Sequence, residues 1–290
     1  MSEALRLVFP QWQGADFSVL TSYVPELPHE EAARGYHLGS QLLSWLAPRT
    51  DAPTETVPVS LDLDDTATEN GIFAYQAVRR QLQAALDIIR RRMPRRIATL
   101  GGECSVSVAP FSHLLTQYPG DVALLWLDAH PDLTLPHEDY AGFHAMALAA
   151  LLGKGDLGLV ELLPAKLDPG CALLVGMHGQ ASQEDAARPG RFGVRVVSAA
   201  DANSSTVRVL EWVRSTGKRK ILVHLDLDCL EPTDLRTAVT ADPGGLRLET
   251  VSRLIREVAT EFELVGLTVA EPVPREACKL RTLLAGLPLP

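Results

Sequence analysis

A chain of 290 residues is long enough for one large domain or two small ones, and 46% hydrophobic with 22% charged residues is ordinary for a globular protein. A formal net charge of −9 leaves no basic surface for nucleic acid or an anionic membrane, and is compatible with a cationic substrate as it is with simple solubility. The longest apolar runs, such as "HAMALAALLG", fall short of the roughly 20 residues that a membrane span needs, and the start "MSEALRLVFP" lacks the regions of a signal peptide.

In chain order, the candidate elements are strands "LRLVF" (5–9) and "VPVSLDL" (57–63), a helix over 73–92, strand "RIATLG" (96–101) and a helix over 105–117. Strands "VALLWLD" (122–128), "CALLVG" (171–176) and "VRVVS" (194–198) follow, then a helix over 204–216 and strand "KILVHLDLD" (220–228). A helix over 249–260, strand "LVGLTVAE" (264–271) and a helix over 275–285 complete the set. The 73–92 segment carries Ala77, Leu82, Ala85, Ile88 and Ile89 at three- and four-residue spacings, one buried helix face. Such alternation predicts an α/β fold with a mostly parallel sheet covered on both sides. The Pro-rich patches "YVPELPHE" and "LLPAKLDPG" read as surface loops within a single domain over 1–290. Cys104, Cys171, Cys229 and Cys278 form no C-x-x-C pair, which suits a reducing compartment, and a cytoplasmic location is expected.

In sheets of this kind, functional residues sit beyond the carboxyl ends of strands. "VALLWLDAHPD" runs an apolar strand into Asp128, His130 and Asp132; residues two apart in extended chain share a side, about 6.6 Å apart, so these three are expected to converge. "KILVHLDLD" repeats the relation with Asp226 and Asp228. A lone D-x-D is often a cap or a solvated turn, but two such clusters ending two buried-type strands would repel each other without a cation. Mixed Asp/His ligation suits Mn, Fe, Ni or Zn better than Ca. His224 lies on the same side of its strand as Asp226 and reads as a packed or supporting histidine, and His178 in "VGMHGQ" as a residue of the site's mouth. Cys171 and Cys229 read as core thiols. Cys104, placed after Gly101-Gly102 in "ATLGGECS", is open to three readings: core filler, nucleophile or metal ligand.

The order "GGECS", "DAHPD", "HLDLD", "PGGL", "VAEPVP" resembles the arginase–agmatinase–formiminoglutamase family, the ureohydrolases, from "VFPQWQG" near the start to Glu271. The resemblance implies a three-layer αβα domain with an eight-stranded mostly parallel sheet and a homo-oligomer, trimer or hexamer. It also implies a two-metal Mn2+ centre whose bridging hydroxide attacks a guanidino carbon and releases urea. Carried over by position, Asp128 and Asp226 bridge the metals, His130 and Asp228 complete one, and Asp132 helps hold the other together with Cys104. The family has His where Cys104 stands. With a thiolate there, the expectation is an asymmetric centre whose Cys104 site is weaker for Mn2+ or takes a softer metal. His144 in "YAGFHAMAL" matches the family's proton-shuttling loop His, Glu271 the carboxylate that receives the guanidinium, and Asp132 is counted with them as catalytic. Substrate contacts are expected from Glu271, Thr240, Glu184 and Thr134.

The departures cluster where arginases grip the α-amino-acid end of arginine: Leu133-Thr134 after "DAHPD", "YAGF" before His144, and Gln180-Ala181 after "VGMHG". Glu184 stands at the position of another family acid. Weak discrimination for that end follows. Two other readings stay open: a one-metal amide or formimino hydrolase, and a non-catalytic metal- or metabolite-binding relative. Retention of His144 and Glu271 favours catalysis, since neither is needed to hold metal.

Overall fold

Strand β4 (Val122–Leu127) is buried at every position. Val122, Leu124 and Trp126 enter one apolar cluster, and Ala123, Leu125 and Leu127 enter another. The side chains of a strand alternate in direction, so a strand apolar throughout needs cover on both faces. Helices Tyr75–Arg92 and Val108–Gln117 pack on the first face; Gly35–Leu46, Val207–Thr216, Leu248–Glu261 and Ala277–Gly286 pack on the second. The computed structural model describes residues 3–16, 20–21, 24–179 and 182–289.

The other strands are β1 (Ala4–Phe9), β2 (Thr54–Thr56), β3 (Arg96–Gly101), β5 (Ala172–Val175), β6 (Arg195–Val197), β7 (Lys220–Asp226) and β8 (Glu263–Ala270). They form one eight-stranded sheet in the order β2-β1-β3-β8-β7-β4-β5-β6, with every pairing parallel. The three-layer αβα architecture expected from the sequence is therefore present. Its four central strands, β3, β8, β7 and β4, are the ones followed by "GGECS", "EPVP", "DLD" and "DAHPD". No helix among the described residues is long and apolar enough to cross a membrane.

Three elements differ from expectation. The second strand is Thr54–Thr56, ahead of "VPVSLDL". Pro58 has no N–H to donate, and the segment leaves the sheet edge after the Val57 amide has bonded to the Val8 carbonyl at 2.9 Å. The helix expected over 105–117 begins as a tight 3₁₀ turn, Cys104–Ser107, before turning α-helical at Val108. The helix expected over 204–216 is two helices, Ala199–Ser204 and Val207–Thr216, the first capped by the Ser198 hydroxyl.

Helix Gly35–Leu46 was not predicted, because Gly35, Gly39 and Ser40 weaken its helical signal. Its small residues serve packing. A Cβ at Gly39 would overlap the Pro272 carbonyl oxygen, and the Ser40 hydroxyl donates to the Leu100 carbonyl at 2.9 Å. Helix Gln183–Phe192 escaped prediction for a similar reason, since it contains Pro189 and Gly190.

Candidate metal centre

The carboxyl ends of β3, β8, β7 and β4 close on a cavity of about 260 Å3, lined by Cys104, His130, Asp132, Thr134, His144, Asp226, Asp228, Thr240 and Glu271, among others. Cys104 is brought there by the glycine turn. A Cβ at Gly102 would collide with the Gln11 carbonyl, so only glycine lets the two backbones approach. The buried Glu103 side chain then fixes the 3₁₀ turn, accepting from the Ser105 amide and hydroxyl, each at 2.7 Å, and from Gln11.

The Cys104 thiol is 1% exposed and donates to Asp226 Oδ2 at 2.9 Å. Burial first, then the surrounding carboxylates, push its pKa well above the usual thiol range. A free thiolate is therefore disfavoured, and a nucleophilic cysteine with it. A bound cation reverses that, since a coordinated thiol is deprotonated outright.

His130 and Asp132 do reach the cavity, with Asp128 buried behind them, but not by continuing the strand. β4 ends at Leu127, and the chain turns, with Asp132 in the left-handed region at φ 50°. Asp128 is fully buried; its Oδ2 accepts from the Trp126 indole N–H at 2.8 Å and its Oδ1 from the His130 amide at 2.7 Å. On β7, Asp226 caps its own 3₁₀ turn, accepting from the Asp228 amide at 2.6 Å. Asp228 Oδ2 meets His130 Nδ1 at 2.9 Å and accepts from the Thr240 hydroxyl at 2.6 Å.

The electrostatics divide these groups. Burial and neighbouring carboxylates raise Asp128 and Asp226 well above the carboxylate range. Burial lifts Asp132 to about 7, against the pull of His144 and His130. Burial pulls the His130 imidazole down, but Asp228 and Asp132 outweigh it and hold it at about 9. Asp228 stays well below the ordinary range, because His130 and Thr240 overcome its burial.

Two donor groups emerge. Ligand atoms of Asp128, His130 and Asp228 lie within 4.8 Å of one another, and so do those of Cys104, Asp128, His224 and Asp226. Asp132 belongs to neither, although its buried Oδ2 has no hydrogen-bond partner among the described residues. Carboxylates that resist ionisation, together with unpartnered buried donors, are the chemistry of a divalent cation site, and these residues fit one.

Against the wall of these donor groups stands a second pair. Glu271 follows β8 at φ 61°, 4% exposed, and its Oε1 accepts from the Cys104 amide at 3.0 Å. The same oxygen meets His144 Nδ1 at 3.2 Å, while His144 Nε2 meets the Tyr140 hydroxyl at 2.9 Å. Burial works against protonating His144, yet Tyr140, Glu271 and Asp132 raise it well above the usual imidazole value. Strained left-handed carboxylates on both walls, at Asp132 and Glu271, accord with a functional centre.

The remaining expected residues separate. Thr134 is buried in the cavity wall, its amide bonded to the Ala145 carbonyl at 3.0 Å. Thr240 lines the cavity with its hydroxyl committed to Asp228. Glu184 is outside the lining, half exposed and paired with Arg191 at 3.4 Å. His178 also lies outside it, its ring nitrogens 2.8 Å and 3.1 Å from the Gly176 and Asp242 carbonyls. Gln180 and Ala181 fall outside the described residues. Cys229 is buried in one apolar cluster, and Cys171, partly buried, packs against the other.

Sequence reasoning passed over three wall residues. Tyr36 sits against Glu271, and Tyr140 holds His144. Arg188, 1% exposed, is paired with Asp139 at 2.7 Å, Glu138 at 3.1 Å and Asp185. Only Tyr140 had a local signal, its four-residue spacing from His144. Tyr36 and Arg188 reach the cavity from distant helices.

A model of the arginase family matches residues 30–288. An arginase of Eremothecium gossypii is 27% identical over 188 residues, 62% of this chain, and the match spans about half, 47%, of that longer protein. N(1)-aminopropylagmatine ureohydrolase of Thermus thermophilus is 29% identical over 233 residues, covering 77% of this chain and 73% of the relative. The crystal structure of Entamoeba histolytica arginase in complex with L-ornithine superposes with a TM-score of 0.81 at 17% identity, covering 99% of this chain and 98% of that one. At that identity the likeness establishes the fold.

Proposed function

The chain belongs to the arginase family, and on that premise we propose that it hydrolyses a C–N bond of a guanidino compound, releasing urea. The observation that carries this reading is the 3.2 Å pairing of His144 with Glu271 in the cavity onto which both donor groups open. Neither residue is required to hold a cation, and each suits one task of the reaction.

Asp128, His130 and Asp228 would hold one divalent ion, Mn2+ by family resemblance, and Cys104, Asp128 and Asp226 a second, with Asp132, whose Oδ2 has no hydrogen-bond partner among the described residues, in the same cavity lining. Bound there, such ions would supply the Lewis acidity that brings the pKa of a water toward neutral. Glu271, fixed by the Cys104 amide, presents a carboxylate to a guanidinium, whose paired N–H groups favour such an acceptor. The neighbouring Glu271 and Asp132 favour the protonated form of His144, and Tyr140 holds its far nitrogen, so it is placed to protonate the leaving amine.

The outer wall supports a particular substrate class. It offers Asp16, Asp139 and Asp185 against one arginine, Arg188, which is already paired with Asp139 and Asp185. Thr240 is spent on Asp228, and Glu184 is turned away. Such a wall favours a guanidine with a neutral or cationic tail over the zwitterionic end of arginine, and the ureohydrolase of Thermus thermophilus is named for an agmatine derivative. The test is urea and ammonia release from L-arginine, agmatine, guanidinobutyrate and formiminoglutamate with Mn2+, Ni2+, Co2+ or Zn2+. Urea from agmatine supports the proposal, a strong preference for arginine or guanidinobutyrate, whose tails both carry a carboxylate, overturns the substrate class, and no product under any metal overturns the activity.

A further inference from the structure

We propose that His224 is a metal ligand, completing with Cys104, Asp128 and Asp226 a thiolate–imidazole–carboxylate site that selects Zn2+ over Mn2+. This rests on the metal-dependent reading above and assigns it a residue outside the ligand set expected from sequence. His224 is 0% exposed on β7. Its ring stacks on Trp126, centroids 3.7 Å apart and planes 12° apart, which fixes the ring plane. Ser107 Oγ lies 2.7 Å from Nδ1, which fixes the rotation within that plane. The other nitrogen, Nε2, is buried with no hydrogen-bond partner among the described residues, 4.0 Å from Asp128 Oδ2.

A packing role does not account for that nitrogen. The stack needs only a flat ring, and a buried nitrogen without a partner is destabilising unless something binds it. What surrounds it is a set of metal donors: ligand atoms of Cys104, Asp128, His224 and Asp226 lie within 4.8 Å of one another. With its proton on Nδ1, shared with Ser107, the ring offers the Nε2 lone pair to a cation; a hydrogen bond at the far nitrogen is the usual way a ligating imidazole is oriented. The chemistry of the two donor groups then differs. Asp128, His130 and Asp228 are oxygen and nitrogen donors suited to Mn2+, whereas a thiolate beside an imidazole and two carboxylates suits four-coordinate Zn2+.

The test uses the full chain, stripped with chelator and reloaded with one equivalent of Zn2+ or Co2+. X-ray absorption at the zinc edge is expected to find one sulfur and one imidazole on the same ion. Sulfur without imidazole, or imidazole without sulfur, overturns the assignment, and this measurement needs no variant. In the Co2+ protein, a thiolate charge-transfer band is expected that Cys104→Ser removes. His224→Phe keeps the ring against Trp126 and is expected to weaken the band-bearing site by tenfold or more, while the second ion still binds. An unchanged band and affinity in a His224→Phe protein with native circular dichroism reduces His224 to packing and leaves the metal-dependent reading standing. A wild-type chain that binds no divalent metal removes both.

Discussion

The main-chain amide of Cys104 donates to the Glu271 carboxylate at 3.0 Å, across 167 positions of sequence. The carboxylate is thereby held by the loop that carries the Cys104 thiol, and His144 approaches the same oxygen at 3.2 Å. Glu271→Gln keeps the shape and removes the charge. Losing a charge-assisted bond of about 1.5–3 kcal/mol should lower kcat/KM for a guanidino substrate by roughly ten- to 150-fold. Bound metal, counted by elemental analysis, should not change. A variant that loses metal in step with activity would place Glu271 among the ligands instead.

Metal removal should reverse the pH dependence of stability above neutrality. In the chelated protein, the His130 pKa is raised from 6.5 to about 9, so between those values the folded state binds more protons than the unfolded state. That contribution is complete below pH 6.5 and is lost as the pH rises through 9. Asp132, raised from 3.8 to about 7, acts in the same sense over its own lower interval. His130 is 43% exposed, and solvent screening keeps the effect to a few degrees of melting temperature. A cation takes the place of the His130 proton, and its binding strengthens as ligands deprotonate. Thermal melts at pH 6.5 and pH 9 should therefore show the chelated protein falling and the loaded protein holding or rising. A chelated protein that melts higher at pH 9 contradicts the assignment.

Much of this centre was legible because burial and charge conflict in the sequence itself. A strand apolar at every position that runs into Asp128, and a mostly apolar one that runs into Asp226 and Asp228, leave carboxylates where a core should continue, and the structure buries them there. Their convergence has in part a different cause from the one the spacing implies. An extended chain does not bring Asp132 in; a turn through left-handed backbone does, and nothing in "DAHPD" announces it. Helix Gly35–Leu46 was hidden by glycines that exist for its contact with Pro272. The free nitrogen of His224 was beyond reach, because its value depends on Trp126 and Ser107 fixing the ring, and those are tertiary contacts.

Cys104→His should change which metal is bound rather than whether metal is bound. An imidazole in place of a thiolate makes the donor set harder and less negative, so preference should move from Zn2+ toward Mn2+. Competition binding of the two metals to wild type and variant measures the shift, and about a tenfold change in their ratio corresponds to 1.4 kcal/mol. If stoichiometry and preference both stay fixed, Cys104 is a bystander.

Gly39→Ala probes the support beneath Glu271. A Cβ there would overlap the Pro272 carbonyl oxygen, and backbone cannot rotate away as a side chain would. Overpacking of this kind costs about 1–3 kcal/mol. The variant should melt lower than wild type and lose activity beyond its unfolded fraction, because Pro272 adjoins Glu271. Equal melting temperatures would mean that the helix and the β8 exit separate freely.

The order of strands in the sheet has a consequence for how the protein is made. Cys104 follows β3 and Asp226 ends β7, and β8, synthesised after both, lies between them in the sheet. Until Glu263–Ala270 has left the ribosome and paired on both edges, β3 and β7 have no common neighbour and the cavity has no floor. A nascent chain can therefore gather Asp128 and Asp226 across the adjacent β4 and β7 edges, but it cannot hold them beside Cys104. On the proposed assignment, a cation shared by Cys104 and Asp226 would bind only once β8 is paired between β3 and β7, so its binding would report that pairing.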